Sequence, residues 1–196
     1  MSDEAYRWLA VPGGLEPPPP MYDLGPAGIS VGTFSKPFGL PGLRIGWMAA
    51  PAEIAAECWA MRDYVSLSPG KLNDALAVLA LEHREQIFQR NAAIIEANLA
   101  TANRWVTEHA ELLSWTPPRG GLLALLKYNL DIASLDLANR LAEGYGVMLA
   151  PGSAFGFEHH LRIGIGQDPP VFAAGLERTS ACFAHLRAEG LGQIQA

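Results

Sequence analysis

Apolar positions recur at helical spacing through the longest stretch without glycine or proline, residues 71–116. Leu72, Leu76, Leu79, Ile87, Ile94, Ile95, Leu99 and Val106 mark that period. They predict one long helix over about 71–110, or two with a bend. Its charged and amide residues, His83, Arg84, Glu85, Gln86, Gln89, Arg90 and Asn91, leave an apolar stripe for packing. Before this stretch the periods are shorter. The run 29–34 is β-branched and aromatic and predicts a strand, as does 43–49. Pro51 stands where a first-turn proline starts a helix, here running to about Tyr64. After it, apolar runs at 122–126, 147–150 and 160–165 predict three strands. Ser134 is placed to cap a helix ending near Gly144. Asp168, Pro169 and Pro170 open a last helix ending near Gly190.

Breakers divide these elements. Residues 10–28 hold six of the 15 prolines and four of the 20 glycines, so they predict a loop. Residues 35–42 form a second loop around Pro37, Gly39, Pro41 and Gly42. The result is an α/β chain in two parts. The first, 1–88, has short strands separated by loops. The second, 89–196, alternates strands and helices, and the long helix joins the two.

Composition narrows the function. At 196 residues, 49 % of them hydrophobic and 17 % charged, the chain is globular. A net charge of −6 argues against nucleic acid as a partner. No apolar run approaches the ~20 residues of a membrane span. Two acids in the opening MSDEAYRW do not suit a signal peptide, so a cytoplasmic location is expected. Cys58 and Cys182 are too few for a disulfide framework. The adjacent His159 and His160 point apart on a strand, so no metal site is expected.

Candidate chemistry gathers in the second loop. Lys36 is one of only three lysines and follows a strand directly, flanked by Phe34, Pro37 and Phe38. An apolar, glycine-rich setting can desolvate an amine and prepare it to attack a carbonyl. Arg44 lies eight residues on, across a turn that Gly39 and Gly42 permit, and Thr33 and Ser35 add hydroxyls. An amine for a carbonyl, with a guanidinium and a hydroxyl for a phosphate, suits an aldehyde that carries a phosphate. Asp3 and Tyr6, upstream, could hold a protonated ring nitrogen and a phenolate oxygen.

These segments together resemble a known family. DEAYRWL and VGTFSKPFGLPGLRIGW resemble the pyridoxal-phosphate enzymes of fold type I, specifically the class I/II aminotransferases. The family's Asp-x-x-Tyr, Ser/Thr-x-Ser-Lys and Gly-x-x-Gly-x-Arg-x-Gly patterns fall at 3–6, 33–36 and 39–46. Segments 118–122, 150–156 and 161–166 are similar to its later motifs. The resemblance implies that Lys36 forms an aldimine with pyridoxal 5'-phosphate and then moves the proton at the substrate α-carbon. It implies that Asp3 pairs with the ring nitrogen, that Tyr6 bonds the phenolate, and that Thr33 and Arg44 hold the phosphate. It assigns Arg162 to the α-carboxylate of an amino-acid or 2-oxo-acid substrate. Trp8, Trp47 and Trp59 are expected in the core or at a subunit contact. His83, His109 and His185 are expected on helix surfaces.

The match covers only the C-terminal half of the family pattern. It therefore implies the last part of the large-domain sheet plus a small α/β domain. The family's glycine-rich phosphate loop, ring-stacking aromatic and phenolate asparagine have no counterpart here. Their absence leads to the expectation that the strand at 29–34 and the apolar sides of helices lie uncovered, and that the chain needs a partner. That partner is a second copy, as in a homodimer, or a complementary N-terminal half. The leading expectation is a transaminase. An inactive truncated fragment or interaction module is one alternative. Another reaction on the same fold, by a decarboxylase, condensing enzyme or cyclase, is the other.

Overall fold

The computed structural model describes residues 1–191 apart from 10, 12 and 15. Its contacts divide the chain into two compact units. The first comprises 1–92 with 119–121, and the second comprises 93–118 with 122 onward.

In the first unit, β1 (Ser2–Asp3), β2 (Ser30–Thr33) and β3 (Gly46–Ala49) form one sheet in that order. β1 runs parallel to β2, with Asp3 opposite Val31, and β3 runs antiparallel, with Thr33 opposite Gly46. Strand side chains alternate between faces, so β2 turns Ser30 and Gly32 inward and half-exposes Val31 and Thr33. Gly32 is required by its neighbour. The Trp47 ring lies against it, and a Cβ there would fall 2.3 Å from that ring. The proline-rich connection between β1 and β2 is non-strand wherever it is described and holds one 3₁₀ turn at Met21–Leu24. Residues 10, 12 and 15 of the expected loop lie outside the described residues.

Helices α1 (Ala52–Met61), α2 (Lys71–Glu82) and α3 (Arg84–Glu108) follow. The expected long helix is thus two, broken at His83. There the backbone N–H and the ring Nδ1 both approach the Leu79 carbonyl, so a local side-chain contact competes with helix propagation. Phe34, Phe38, Ala77 and Ala80 form the buried centre of this unit, with Trp47, Ile87 and Phe88 packed around it. α1 buries none of its residues. Trp59, Tyr64, Val65 and Leu72 are each at least 70 % exposed, which makes this a large unpartnered apolar surface. One expectation is corrected here: the strand at 29–34 is not uncovered at its edges. It is the central strand, with β1 and β3 hydrogen-bonded on either side.

The second unit contains β4 (Leu113–Trp115), β5 (Leu123–Tyr128), α4 (Ser134–Tyr145), β6 (Ala150–Pro151), β7 (His160–Gly164) and α5 (Pro169–Ala188). The sheet order is β4-β5-β7-β6, antiparallel throughout. β4 lies inside the stretch without breakers, so nothing in the pattern announces it. The strand expected at 147–150 shrinks to β6. Leu126, Leu137, Leu141, Leu161, Ile165 and Phe183 are almost completely buried. Each such side chain contributes roughly 1.5–3 kcal/mol. Asn98 is buried as well, and its amide donates to the carbonyls of Ile165 and Gln167 at 3.0 and 2.7 Å, tying α3 to the segment after β7.

Ser134 does not cap α4. Ala133 precedes the helix, and the Glu158 carboxylate accepts the Ser134 backbone N–H from a distant loop. That bond, with a second from the His159 N–H, holds the Glu158 carboxyl below its ordinary range. The Ser134 hydroxyl instead accepts from the Ser153 N–H at 3.1 Å. No helix among the described residues is long and apolar enough to cross a membrane.

Candidate active site

Five of the six expected site residues lie in the first unit, at one end of its sheet. Asp3 ends β1 and Thr33 ends the parallel β2, so both stand at the carboxyl ends of parallel strands. Ligands of open α/β sheets bind at that end. Asp3, Val31 and Thr33 share the half-exposed face, by register and alternation.

Lys36 and Arg44 sit in the connection 34–45 between β2 and β3. Its neck is closed by the Phe34 N–H donating to the Ile45 carbonyl at 3.1 Å. Gly39, at φ +66, completes a turn by donating to the Lys36 carbonyl. Two helix side chains hold the loop from below. Asn91 of α3 donates to the Pro37 carbonyl at 2.7 Å, and Asn73 of α2 donates to the Leu43 carbonyl at 3.0 Å. Phe34 and Phe38 are each 3 % exposed, with ring centres 4.5 Å apart. Lys36 itself is exposed. The flanking aromatics point into the core beneath the loop and leave the lysine on the surface. Among the described residues, no carboxylate or carbonyl engages its Nζ.

The Thr33 hydroxyl lies 3.0 Å from the Ser35 hydroxyl and 3.3 Å from the Ile45 carbonyl, beside Arg44. Arg44 is held at φ +53, and its guanidinium donates once, to the Pro41 carbonyl at 3.1 Å. Its other N–H groups remain available. Asp3 accepts the Ala5 N–H through one carboxylate oxygen, which leaves the other open. Tyr6 follows in the same turn and is 40 % exposed. Gly121, at φ +76, lies beside the Tyr6 ring and donates to the Leu9 carbonyl. Trp8 packs on Trp47 and Phe88, with ring centres 5.6 and 6.1 Å apart, whereas Trp59 stands in solvent. This donor set fits pyridoxal phosphate in its chemistry: a free amine, an available carboxylate oxygen, a phenol, and a hydroxyl beside a guanidinium.

The sixth residue, Arg162, belongs to the second unit. It lies mid-strand in β7, between Leu125 of β5 and Ala150 of β6, and its Cζ sits 4.6 Å over the Phe155 ring.

Glu4 escaped the residue-by-residue reading. Its carboxylate accepts from the Ser30 hydroxyl at 2.6 Å and from the Met21 N–H at 2.9 Å, and it pairs with Arg7 at 3.5 Å. It thereby ties the Asp3–Tyr6 turn to β2. Burial pushes its carboxyl up, but the two hydrogen bonds and the Arg7 charge outweigh that and hold it below its ordinary value. A depressed carboxyl stabilises the fold above its unfolded pKa, and that contribution is lost as pH falls through the folded value. Glu4→Gln is thus expected to lower the melting temperature at pH 7, with the gap to the parent smaller in a measurement at about pH 3 because protons then compete for the carboxylate. A gap of equal size at both pH values would show that Glu4 does not act through its charge.

The sequence pattern of the family Aminotransferase class I and II matches residues 1–178. A solved PLP-dependent aminotransferase from Streptococcus suis is 31 % identical, with a TM-score of 0.87 over 99 % of this chain and 49 % of that one. A solved PLP-dependent cyclase, OrfR, is 34 % identical, with a TM-score of 0.82 over 95 % of this chain and 50 % of its own. Capreomycidine synthase of Streptomyces vinaceus is 32 % identical over 78 % of this chain and 39 % of its own length. The chain thus spans half or less of the length of these relatives.

Proposed function

This chain belongs to the class I and II aminotransferase family, in the C-terminal part of the fold type I architecture, and on that premise we propose that it carries the lysine side of a pyridoxal-phosphate site acting on an amino acid and a 2-oxo acid. The observation that carries this reading is the gathering of Asp3, Tyr6, Thr33, Lys36 and Arg44 at one end of one sheet, with the amine unengaged.

When bound, pyridoxal phosphate supplies an aldehyde for the substrate amine and a ring that takes up the electron pair released at the α-carbon. The side chains do the rest. Asp3 accepts the ring N–H and keeps that nitrogen protonated. Tyr6 donates its hydroxyl proton toward the phenolate oxygen. Thr33 and Arg44 would hold the phosphate, one through its hydroxyl and the other through its guanidinium charge. Lys36 Nζ takes the proton from the substrate α-carbon and returns it. Arg162 clamps the substrate carboxylate and so fixes which bond to the α-carbon is broken. In this assignment the first unit is the cofactor side and the second the small domain.

A second reading, another reaction on the same framework, is favoured by the two relatives at 32 and 34 % identity whose names are a synthase and a cyclase. A cytoplasmic setting fits the two free cysteines, Cys58 and Cys182.

The test is titration with pyridoxal phosphate, followed by a panel of amino acids with 2-oxo-acid formation as the readout. Uptake of the cofactor is expected, with negligible turnover by this chain alone. Turnover is expected once a complementary N-terminal half is supplied. Failure to take up the cofactor in either form would sink the reading, and products other than a 2-oxo acid would favour the second one.

The apolar surface around Trp59, Tyr64, Val65 and Leu72 fits a protein partner, either a second copy or the complementary half. Self-association and a low melting temperature are therefore expected for the chain alone, by size-exclusion chromatography and calorimetry. A monomer melting cooperatively at high temperature would remove the need for a partner.

A further inference from the structure

Phe155 stands out among the aromatic residues of the second unit. It ends the 3₁₀ turn Gly152–Phe155 and is 42 % exposed. Its ring pairs with no other aromatic ring among the described residues. Over that ring, 4.6 Å from its centre, lies the Arg162 guanidinium carbon. Both partners are anchored. Arg162 projects from the interior strand β7, between Leu161 and Ile163, which are buried on the opposite face. The turn that carries Phe155 is closed by the Phe157 N–H donating to the Gly152 carbonyl and by the Gly156 N–H donating to the Ser153 carbonyl. It is also tied to α4 by the Ser153 N–H on the Ser134 hydroxyl.

We infer that Phe155 is a positioning residue for Arg162, which it holds through a cation–π contact so that the guanidinium meets the substrate carboxylate already oriented. The inference rests on the reading of Arg162 as the carboxylate clamp. Its physical basis is what an aromatic ring offers a cation. A π face attracts the positive charge without accepting a directed hydrogen bond. A carboxylate or carbonyl in the same place would occupy the N–H groups that the substrate needs. Among the described residues, none accepts from the Arg162 guanidinium. All five N–H donors therefore stay free, while a long side chain that would otherwise sample many rotamers is confined. Fewer conformations are then lost when the carboxylate arrives, and the two-pronged geometry is met with less reorganisation.

The test uses the 196-residue chain and pyruvate as the carboxylate probe, with the Arg162 side-chain Nε–H followed by NMR. Arg162→Lys identifies that signal. In the parent and in Phe155→Tyr, the signal is expected to carry the upfield ring-current shift of a proton above an aromatic face. Phe155→Leu is expected to lose that shift and to weaken pyruvate binding about three- to tenfold, whereas Phe155→Tyr binds as the parent does. Phe155→Met is a second non-aromatic variant, used if the backbone amide shifts of β7 show that leucine disturbs the turn. If Arg162→Lys leaves pyruvate binding unchanged, the carboxylate reading of Arg162 fails and the inference falls with it. If Arg162→Lys abolishes binding while the non-aromatic variants bind as the parent does, the positioning role alone is overturned.

Discussion

Lys36→Ala is expected to abolish covalent capture of pyridoxal phosphate. The parent should develop a new visible absorbance and, after borohydride reduction, a mass increment on one peptide; the variant should show neither. Three lysines could in principle react: Lys36, Lys71 and Lys127. Only Lys36 shares a loop with a guanidinium and the strand-end hydroxyl of Thr33, and lies at the same sheet end as an available carboxylate oxygen. The phosphate and ring contacts would raise the local concentration of aldehyde at that amine, and proximity of this kind is worth several kcal/mol. Lys71→Ala is therefore expected to behave as the parent. The substitution separates chemistry from folding. Lys36 is exposed, and the loop beneath it is held by Phe34, Phe38 and the Asn91 amide on Pro37. Loss of the side chain should change stability by no more than about 0.5 kcal/mol. In a complemented, active protein, turnover should fall by a factor on the order of 10² to 10⁴ for the proton transfer alone. Equal absorbance in parent and variant would remove Lys36 from the site.

Gly152→Ala is expected to be the most destabilising single-methyl change in the second unit. A Cβ at Gly152 would lie 2.1 Å from the Phe157 carbonyl oxygen, 2.6 Å from the His160 carbonyl oxygen and 2.7 Å from the His160 Cβ. Two of the three are backbone atoms in the turn that carries Phe155 and at the start of β7, so no flexible side chain can yield. Overpacking of this kind costs roughly 1–3 kcal/mol, and more where backbone must move. For a unit of this size, 3 kcal/mol corresponds to a fall of roughly 10–20 °C in melting temperature. Gly144, inside α4, is the matched control: nothing lies within 4 Å of its would-be Cβ. Gly144→Ala should stabilise by roughly 0.5–1 kcal/mol, since alanine restricts the unfolded chain and favours the helix. Calorimetry on the two variants checks both signs. A Gly152→Ala protein melting like the parent would mean that this turn is looser than its contacts describe.

Legibility in the sequence followed the range of the interactions. Periodic and breaker-bounded elements were readable: α4, α5, β7 and the α1 start after Pro51 fall close to where the pattern puts them. The loop around Lys36, 35–42, was readable because its glycines and prolines announce it, whereas 43–45, assigned to a strand by the pattern, prolong that loop: β3 begins only at Gly46, and Arg44 takes φ +53. β4 was not readable, since three residues of LeuSerTrp at the end of a stretch without breakers give no period of their own. Two helices with a bend were allowed by the pattern, but the place of the break, at His83, was not legible, because it depends on where one imidazole points. Glu4 and Glu158 were missed for a shared reason. Their partners lie 26 and 24 residues away, and a carboxylate carries no mark of what it will accept from. Whether the apolar neighbours of Lys36 cover its amine was not legible either, because Phe34 and Phe38 adjoin it in sequence yet lie beneath it in space.

By itself, the order of residues determined the family and the fold class, and it named the groups proposed to react. Those groups are written in local chemistry, as an amine, a hydroxyl and a guanidinium at fixed short spacing around a turn in which Gly39 takes φ +66. Tertiary structure decided the rest: that Asp3 and Thr33 end neighbouring parallel strands, that Lys36 is exposed and unengaged, that Glu4 pins the turn, and that Phe155 lies under Arg162. Each of these depends on strand register or on packing between residues distant in the chain, and a side chain acquires such a partner only when the fold brings the two together.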